Sequence, residues 1–590
     1  MPNGFSATSQ GINYPAAIEA PVTPYTNPPD TNPVLAGFPL RLLSEAVANI
    51  TPLQSLLWSN AGFGSLRSLE ATGILDPYPP RFDPTVIPHS APIAPTSVPH
   101  LPKENPAFHC ASEYIDAYRE KKLTPTAVTT KVTSLLASPQ HSACIITPMT
   151  PSASLSDRRY ANNAEAPRMK LDGVPILVKD ELAVAGTPKT LGLTFAEMSR
   201  RGTSKLDDGE TSWCVQKLID AGALVVGKTN MHEIGFDTTN NNPNHGTPRN
   251  PYNPNYYTGG SSGGSAYAVA AGLVPIAVGA DGGGSIRLPA GYCGVYGLKP
   301  THGRISQAPT RSIAPSNGVI GPIAATMDDL ERAYEIMAQP DPSNASSRLF
   351  PPPQWNPSDS KKRLIGVYKP WLEDCSPDVH AATQAAIQHL QTSAGYEVID
   401  IELPLLSEGR KAHALTIMTE IGQGFCKGDT HGLTPANKVV VAISGQTPAR
   451  DFVLAQRVRA LLMSHLAWLW EKYGDTLVIV SPVTPTAGAK IGADGHVQKG
   501  GAGVSDTNAS LKSMQYVFLA NFTGTPSISM PVGYSADGVP IGMMGLAAWG
   551  AEETLLSLGR ACEHYLENEV GRRRPAGEGC WADVLGGETM

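Results

Sequence analysis

The sequence predicts an α/β protein built on a wide sheet, and three observations carry that expectation. Between about 170 and 320 short apolar runs alternate with helical patterns: GVPILVKD, SWCVQKLIDAG, ALVVGKTN and, later, LVPIAVGAD. Strand, helix and strand in that order require parallel pairing, because the chain must cross back over the sheet before the next strand begins. Late in the chain, TLVIVSPVTP and GTPSISMPVG are two more apolar runs of strand length. A chain of 590 residues is also long enough for a sizeable core, a length that wide-sheet α/β enzymes reach as one compact unit.

The elements follow in order. Residues 1–107 begin polar and proline-rich, pass through the helical-looking LRLLSEAVANITPLQSLLW, and end with ten prolines between Pro77 and Pro106. Proline lacks an N–H and fixes φ, so that last segment reads as an extended surface strap. From Cys110, SEYIDAYREKKLTPTAVTTKVTSLLAS has apolar residues at helical spacing, with a helix start at Thr124-Pro125. SWCVQKLIDAG is a helix ending at Gly222 between the strands GVPILVKD and ALVVGKTN. A second proline-rich break, DPSNASSRLFPPPQWNPSDS at 341–360, precedes RLIGVYKPW, the long helix SPDVHAATQAAIQHLQTSAG and YEVIDIELP. No internal repeat is present.

Composition narrows the partners. With 45 Lys plus Arg against 52 Asp plus Glu, the net charge of −7 provides no basic footprint for nucleic acid. The eight cysteines (Cys110, Cys144, Cys214, Cys293, Cys375, Cys426, Cys562, Cys580) form no C-x-x-C pair, and no histidine cluster has metal-ligand spacing. They read as free thiols in a reducing compartment, and neither a metal nor a cofactor is expected. MPNGFSATSQGINYPAAIEAP has no basic start or apolar core, so it is not a secretory signal, and the acceptor-like Asn49-Ile50-Thr51 and Asn521-Phe522-Thr523 read as chance. AYAVAAGLVPIAVGA is too short to span a bilayer. The expectation is a cytoplasmic protein acting on a small molecule, with no membrane span and with a homodimer left open.

Two glycine-rich stretches could carry chemistry. GGSSGGSA, residues 259–266, matches G-x-S-x-G twice, but RNPYNPNYYT before it reads as loop and not as the buried strand a nucleophile elbow needs. Neither stretch has the lysine of a P-loop, and no G-x-G-x-x-G opens a helix. In GADGGGSIRLPAG, residues 279–291, a strand reaches Asp281 and the chain then turns through Gly282, Gly283 and Gly284 to Ser285. Amides without a flanking Cβ can converge there on one anionic oxygen beside a serine nucleophile. None of the 14 histidines stands out as its base. Lys179 follows the apolar GVPILV, and a desolvated lysine loses its proton readily. Its local context alone favours an ion pair with Asp180 or another carboxylate at the strand end.

In order, GVPILVKD, GKTNMHE, TPRNPYNP, GGSSGGSA and DGGGSIRLPAGYCGVYGLKPTHGRIS resemble the signature region of the amidase signature family. A fainter likeness runs from about 108 to 565, including NFTGTPSISMPVG and GVPIGMMGL, and leaves out the first hundred residues. The resemblance implies one large domain, 108–590, with a central twisted mixed β-sheet covered by helices on both faces, and an extension, 1–107, whose short helices pack on it. It implies a Ser–cis-Ser–Lys triad: Ser285 as nucleophile, Ser261 as the bridging cis-serine and Lys179 as base. The 24 positions from Ser261 to Ser285 agree with the family's spacing. Gly282, Gly283, Gly284 and Ser285 fall at the oxyanion hole, Asp281 and Arg287 brace the loop, and Ser262 orders the GGSSGG turn. Cys293 reads as core packing, and Lys228 and Asn230 as supports of a strand end. Gly282 departs from the Thr or Ile frequent at its position, which leaves the amide in place. Gly235, Phe236 and the 410–450 region are candidates for the acyl pocket.

The implied reaction is hydrolysis of a linear carboxylic amide, or a related carbamate or ester, through a serine acyl-enzyme with release of ammonia or an amine. The alternatives are a catalytically silent scaffold and a glutamine-hydrolysing amidotransferase subunit. A lipid amidase anchored through LRLLSEAVANITPLQSLLW is a further one.

Overall fold

Eleven strands form the central sheet of the computed structural model, which describes residues 11–27, 32–88, 107–162, 169–202, 209–353, 363–492 and 497–586. In chain order they are β1 Ile145–Pro148, β2 Pro175–Lys179, β3 Leu224–Thr229, β4 Ile276–Asp281, β5 Tyr296–Lys299, β6 Val319–Ala324, β7 Arg363–Val367, β8 Tyr396–Asp400, β9 Leu477–Pro482, β10 Ser527–Tyr534 and β11 Pro540–Leu546. Across the sheet the order is β8-β7-β9-β11-β10-β5-β6-β4-β2-β3-β1. β2 pairs in parallel with both β3 and β4, as the strand–helix–strand pattern predicts. β7 is parallel to β8 and β9, while the middle of the sheet is antiparallel. The sheet is therefore mixed.

Burial explains why these strands read as nearly continuous apolar runs. Along β9, Val478 and Val480 enter one core cluster while Leu477 and Ile479 enter a second. Successive strand residues point to opposite faces, so both faces of the sheet are covered. The first cluster recruits helices such as Ala111–Arg119, Pro125–Ala137 and Glu552–Tyr565; the second recruits Leu406–Glu420 and Ala449–Tyr473.

Several helix ends follow from local chemistry. Thr124 caps the helix Pro125–Ala137 by accepting from the Ala127 amide at 3.1 Å, and Pro125 fills the first turn, where its missing N–H costs nothing. LRLLSEAVANITPLQSLLW forms two helices, Gly37–Asn49 and Thr51–Asn60, rather than one. Pro52 cannot donate to Ala48, and the Gln54 amide donates instead to the Val47 carbonyl at 2.8 Å.

The N-terminal segment docks by short pairings and polar clamps. Gly11–Ile12 pairs with Ile87–Pro88 within the segment itself, and Leu35–Ala36 pairs with Val504–Ser505 of the body. Arg67 holds the buried Asp451 through Nε at 2.7 Å and Nη2 at 2.6 Å, and the Tyr25 hydroxyl donates to Asp374 at 2.7 Å. Residues 77–86 of the predicted strap run without helix or strand to the short pairing at Ile87–Pro88; its remainder, 89–106, lies outside the described residues. Among the described residues no helix is long and apolar enough to cross a membrane.

Candidate active site

Neighbouring parallel strands bring their C-terminal ends together, and that edge is where open α/β sheets place ligands. β2 ends on Lys179 and its neighbour β4 ends on Asp281. The Lys179 ammonium is buried and donates to Ser261 Oγ at 2.8 Å and to the Ala280 carbonyl at 3.2 Å. Glu181 Oε2 lies 3.1 Å from the same nitrogen. Burial pulls the Lys179 pKa below the ordinary lysine value, against the opposing pull of the Glu181 and Asp281 carboxylates. Asp180 turns to the other side, where Lys228 Nζ meets it at 2.9 Å and the Thr190 amide donates to it at 2.9 Å. The ion pair at Lys179 is thus with Glu181 and not with Asp180.

The two glycine-rich stretches meet at this edge. The peptide between Gly260 and Ser261 is cis, and Ser261 lies just ahead of the buried helix Gly263–Ala270. The Ser262 amide donates to the Ser285 carbonyl at 3.2 Å, and Ser262 Oγ to the Ala280 carbonyl at 3.1 Å, so one turn is laced to the other. Ser285 Oγ lines the same cavity as Ser261 and Lys179 and has no hydrogen-bond partner among the described residues.

Asp281 organises the loop that follows β4. Its carboxylate accepts from the amides of Gly284 at 2.7 Å and Ile286 at 3.1 Å, from Arg287 Nε at 3.0 Å and from Asn521 Nδ2 at 2.9 Å. Burial would raise its pKa, but the charge and hydrogen bonds of Arg287, with Lys299 and Asn521, hold it well below the usual carboxylate range. This arrangement corrects one expectation: the Gly284 amide is spent on Asp281 and does not converge with the others. The amides of Gly282, Gly283 and Ser285 have no acceptor among the described residues. Close packing explains the glycines. A Cβ at Gly282 would come 3.0 Å from Ile417 Cδ1, at Gly283 2.9 Å from His413 Cε1, and at Gly284, where φ is +106°, 2.4 Å from Val517 Cγ2.

A narrow cavity of about 20 Å³ joins these groups. Lys179, Glu181, Gly235, Ser261, Gly282 and Ser285 line its polar side, and Ile313, Ala314, Ile417 and Ile421 its apolar side. Of the predicted pocket pair, Gly235 lines the cavity, whereas Phe236 packs behind it on the cluster of Leu193, Ile234, Ile417 and Ile421. Glu181 is a site residue that no motif marks; it reaches Lys179 from the turn that follows β2. Ile313, Ala314 and His413 carry no local signal of their place. A wider cleft lined by Thr23, Tyr25, Leu69, Leu403 and Leu405 holds none of these groups.

The sequence model of the family described as Amidase matches residues 128–556. The chain belongs to the amidase signature family. Fatty acid amide hydrolase of Medicago truncatula is 33% identical to it over 498 residues, covering 80% of this chain and 78% of the relative. A glutamyl-tRNA(Gln) amidotransferase subunit of Koribacter versatilis is 32% identical over 428 residues, 67% of this chain and 85% of that one. Among solved structures, 6-aminohexanoate cyclic dimer hydrolase complexed with substrate superposes with a TM-score of 0.66 at 25% identity, over 81% of this amidase chain and 99% of the other. Family and relatives together support an amide hydrolase.

Proposed function

We propose that this amidase hydrolyses a linear carboxylic amide through an acyl-enzyme on Ser285, with Ser261 and Lys179 as its proton relay. One observation carries the reading: a buried lysine nitrogen lies 2.8 Å from Ser261 Oγ in the cavity that also holds the unpartnered Ser285 hydroxyl. Neutral Lys179 takes the Ser261 proton as Ser261 takes that of Ser285, and Ser285 Oγ bonds to the substrate carbonyl carbon. Hydroxyls both donate and accept, so two serines suffice for the transfer. Negative charge then gathers on the carbonyl oxygen, where the free amides of Gly282, Gly283 and Ser285 receive it; one such donor is worth about 3 kcal/mol of barrier. The proton returns through Ser261 to the leaving nitrogen as the C–N bond breaks. Water then attacks the ester, releasing the carboxylic acid and restoring Ser285.

The wall of Ile313, Ala314, Ile417 and Ile421 favours an apolar acyl group over a glutamine side chain. The fatty acid amide hydrolases among the relatives support the same choice. A division into an extension, 1–107, and an amidase body, 108–590, is proposed because the family match begins only at 128. A cytoplasmic setting is proposed because all eight cysteines are unpaired. A fluorophosphonate probe tests the central claim. It labels Ser285 in the intact protein and leaves Ser285→Ala unlabelled and inactive across a panel of amides; labelling at Ser261, or none in the folded protein, defeats the reading.

A further inference from the structure

Helix Leu406–Glu420 contributes Ile417 to the cavity wall and, one turn earlier, sends His413 beneath the loop after β4. His413 is fully buried, and its Nε2 lies 2.9 Å from the Gly282 carbonyl oxygen. A carbonyl only accepts, so Nε2 carries the proton. Burial, reinforced by the positive charges of Arg459 and Arg287 and opposed by Asp281 and the Gly282 carbonyl, holds the imidazole pKa down at about 4, so the ring is neutral and has this single N–H. Nδ1 is buried without a partner among the described residues. The ring is walled by Phe518 and Phe522, and its Cε1 fills the place where a Gly283 side chain would stand.

A trans peptide holds its C=O and N–H antiparallel in one rigid plane. The Gly282 carbonyl and the Gly283 amide share such a plane. Once the carbonyl is tied to His413, the Gly283 N–H is turned away from the ring, and that amide is one of the three left free. We propose that His413 is a positioning residue that aims the Gly283 amide at the substrate's developing oxyanion. The proposal deepens the function above and rests on it. It gives the acyl pocket and the anion site a common support, since Ile417 and His413 belong to one helix.

Three substitutions separate aim from packing. His413→Leu keeps the apolar surroundings and removes the donor; His413→Gln keeps an N–H of similar reach. Removing an oxyanion donor typically costs about 10²–10³ in kcat, so a misaimed one lowers kcat by about tenfold or more. The expected result is that loss in His413→Leu with KM within about twofold, a parallel drop in the fluorophosphonate labelling rate, and near-parent values in His413→Gln. Should the Leu variant not fold, His413→Asn, whose shorter side chain misses Gly282, shows the same loss. A folded Leu or Asn variant that keeps the parent kcat overturns the inference, as does a Gln variant that falls equally far. With the parent still labelled at Ser285, that outcome spares the proposed function; an unlabelled parent overturns both.

Discussion

The two glycine-rich turns at the site are made of nearly the same residues and differ in how many of their amides are spent inside the fold. In GGSSGG four of the six amides are spent: Gly260 donates to the Thr238 carbonyl at 2.6 Å, Ser262 to Ser285 at 3.2 Å, Gly263 to Asn240 Oδ1 at 3.0 Å and Gly264 to the Asn230 carbonyl at 3.1 Å. Its glycines are there because a Cβ would strike backbone or side chain, 2.6 Å from the Asn240 nitrogen at Gly260 and 2.4 Å from the Asn230 oxygen at Gly264. The turn after β4 is packed as tightly on one side yet keeps three amides free on the other. Glycine density therefore reports close approach in both turns, and only unspent N–H groups make an anion site. To the cavity the first turn presents one side chain, Ser261; the second presents the Ser285 side chain together with free backbone amides.

Breaking this contrast is possible at several points. Ser285→Ala is expected to lower kcat by about 10⁴-fold or more, whereas the fold, judged by melting temperature, stays intact. If Ser261→Ala instead abolished labelling and Ser285→Ala did not, the roles of the two turns would be reversed. Lys179→Ala removes the base next to Ser261, and a lost general base costs about 10²–10⁴-fold at neutral pH, with partial recovery at high pH; an unchanged rate at pH 7 removes Lys179 from the relay.

Gly284→Ala tests the packed side of the second turn. A methyl group 2.4 Å from Val517 at a left-handed φ is expected to cost about 1–3 kcal/mol of stability, read as a fall in melting temperature beyond that of Gly282→Ala, whose nearest neighbour is at 3.0 Å. The smallest expected effect is at Glu181. Lys179 is a base only when neutral; burial lowers its pKa and Glu181 pulls it back up. Glu181→Gln removes that pull, so the acid limb of kcat/KM moves to lower pH. A pH–rate profile with its midpoint unmoved contradicts the pairing.

Much of this was legible because it is local. GVPILVKD becomes Pro175–Lys179, LVPIAVGAD becomes Ile276–Asp281, and both parallel pairings follow from the helix between strands. The fate of the Gly284 amide was not legible, because it depends on the Asp281 carboxylate curling back onto its own loop under a clamp from Asn521, 240 positions away. The apolar wall is equally remote: Ile417 and Ile421 fall where an irregular turn, Ile421–Phe425, follows the helix, and nothing in RKAHALTIM marks His413 as a loop support. The split after Asn49 was present in the sequence as Pro52, but the apolar pattern runs across it.

The docking of the N-terminal segment also has a temporal meaning. Arg67 and Tyr25 find their partners 384 and 349 positions later, and Leu35–Ala36 pairs with residues at 504–505. During synthesis at about 5–20 residues per second, these groups wait tens of seconds for the surfaces that receive them. A chain rich in proline over that interval offers few strand edges for a neighbour to capture. These early-made residues are seated late, and their composition suits the wait.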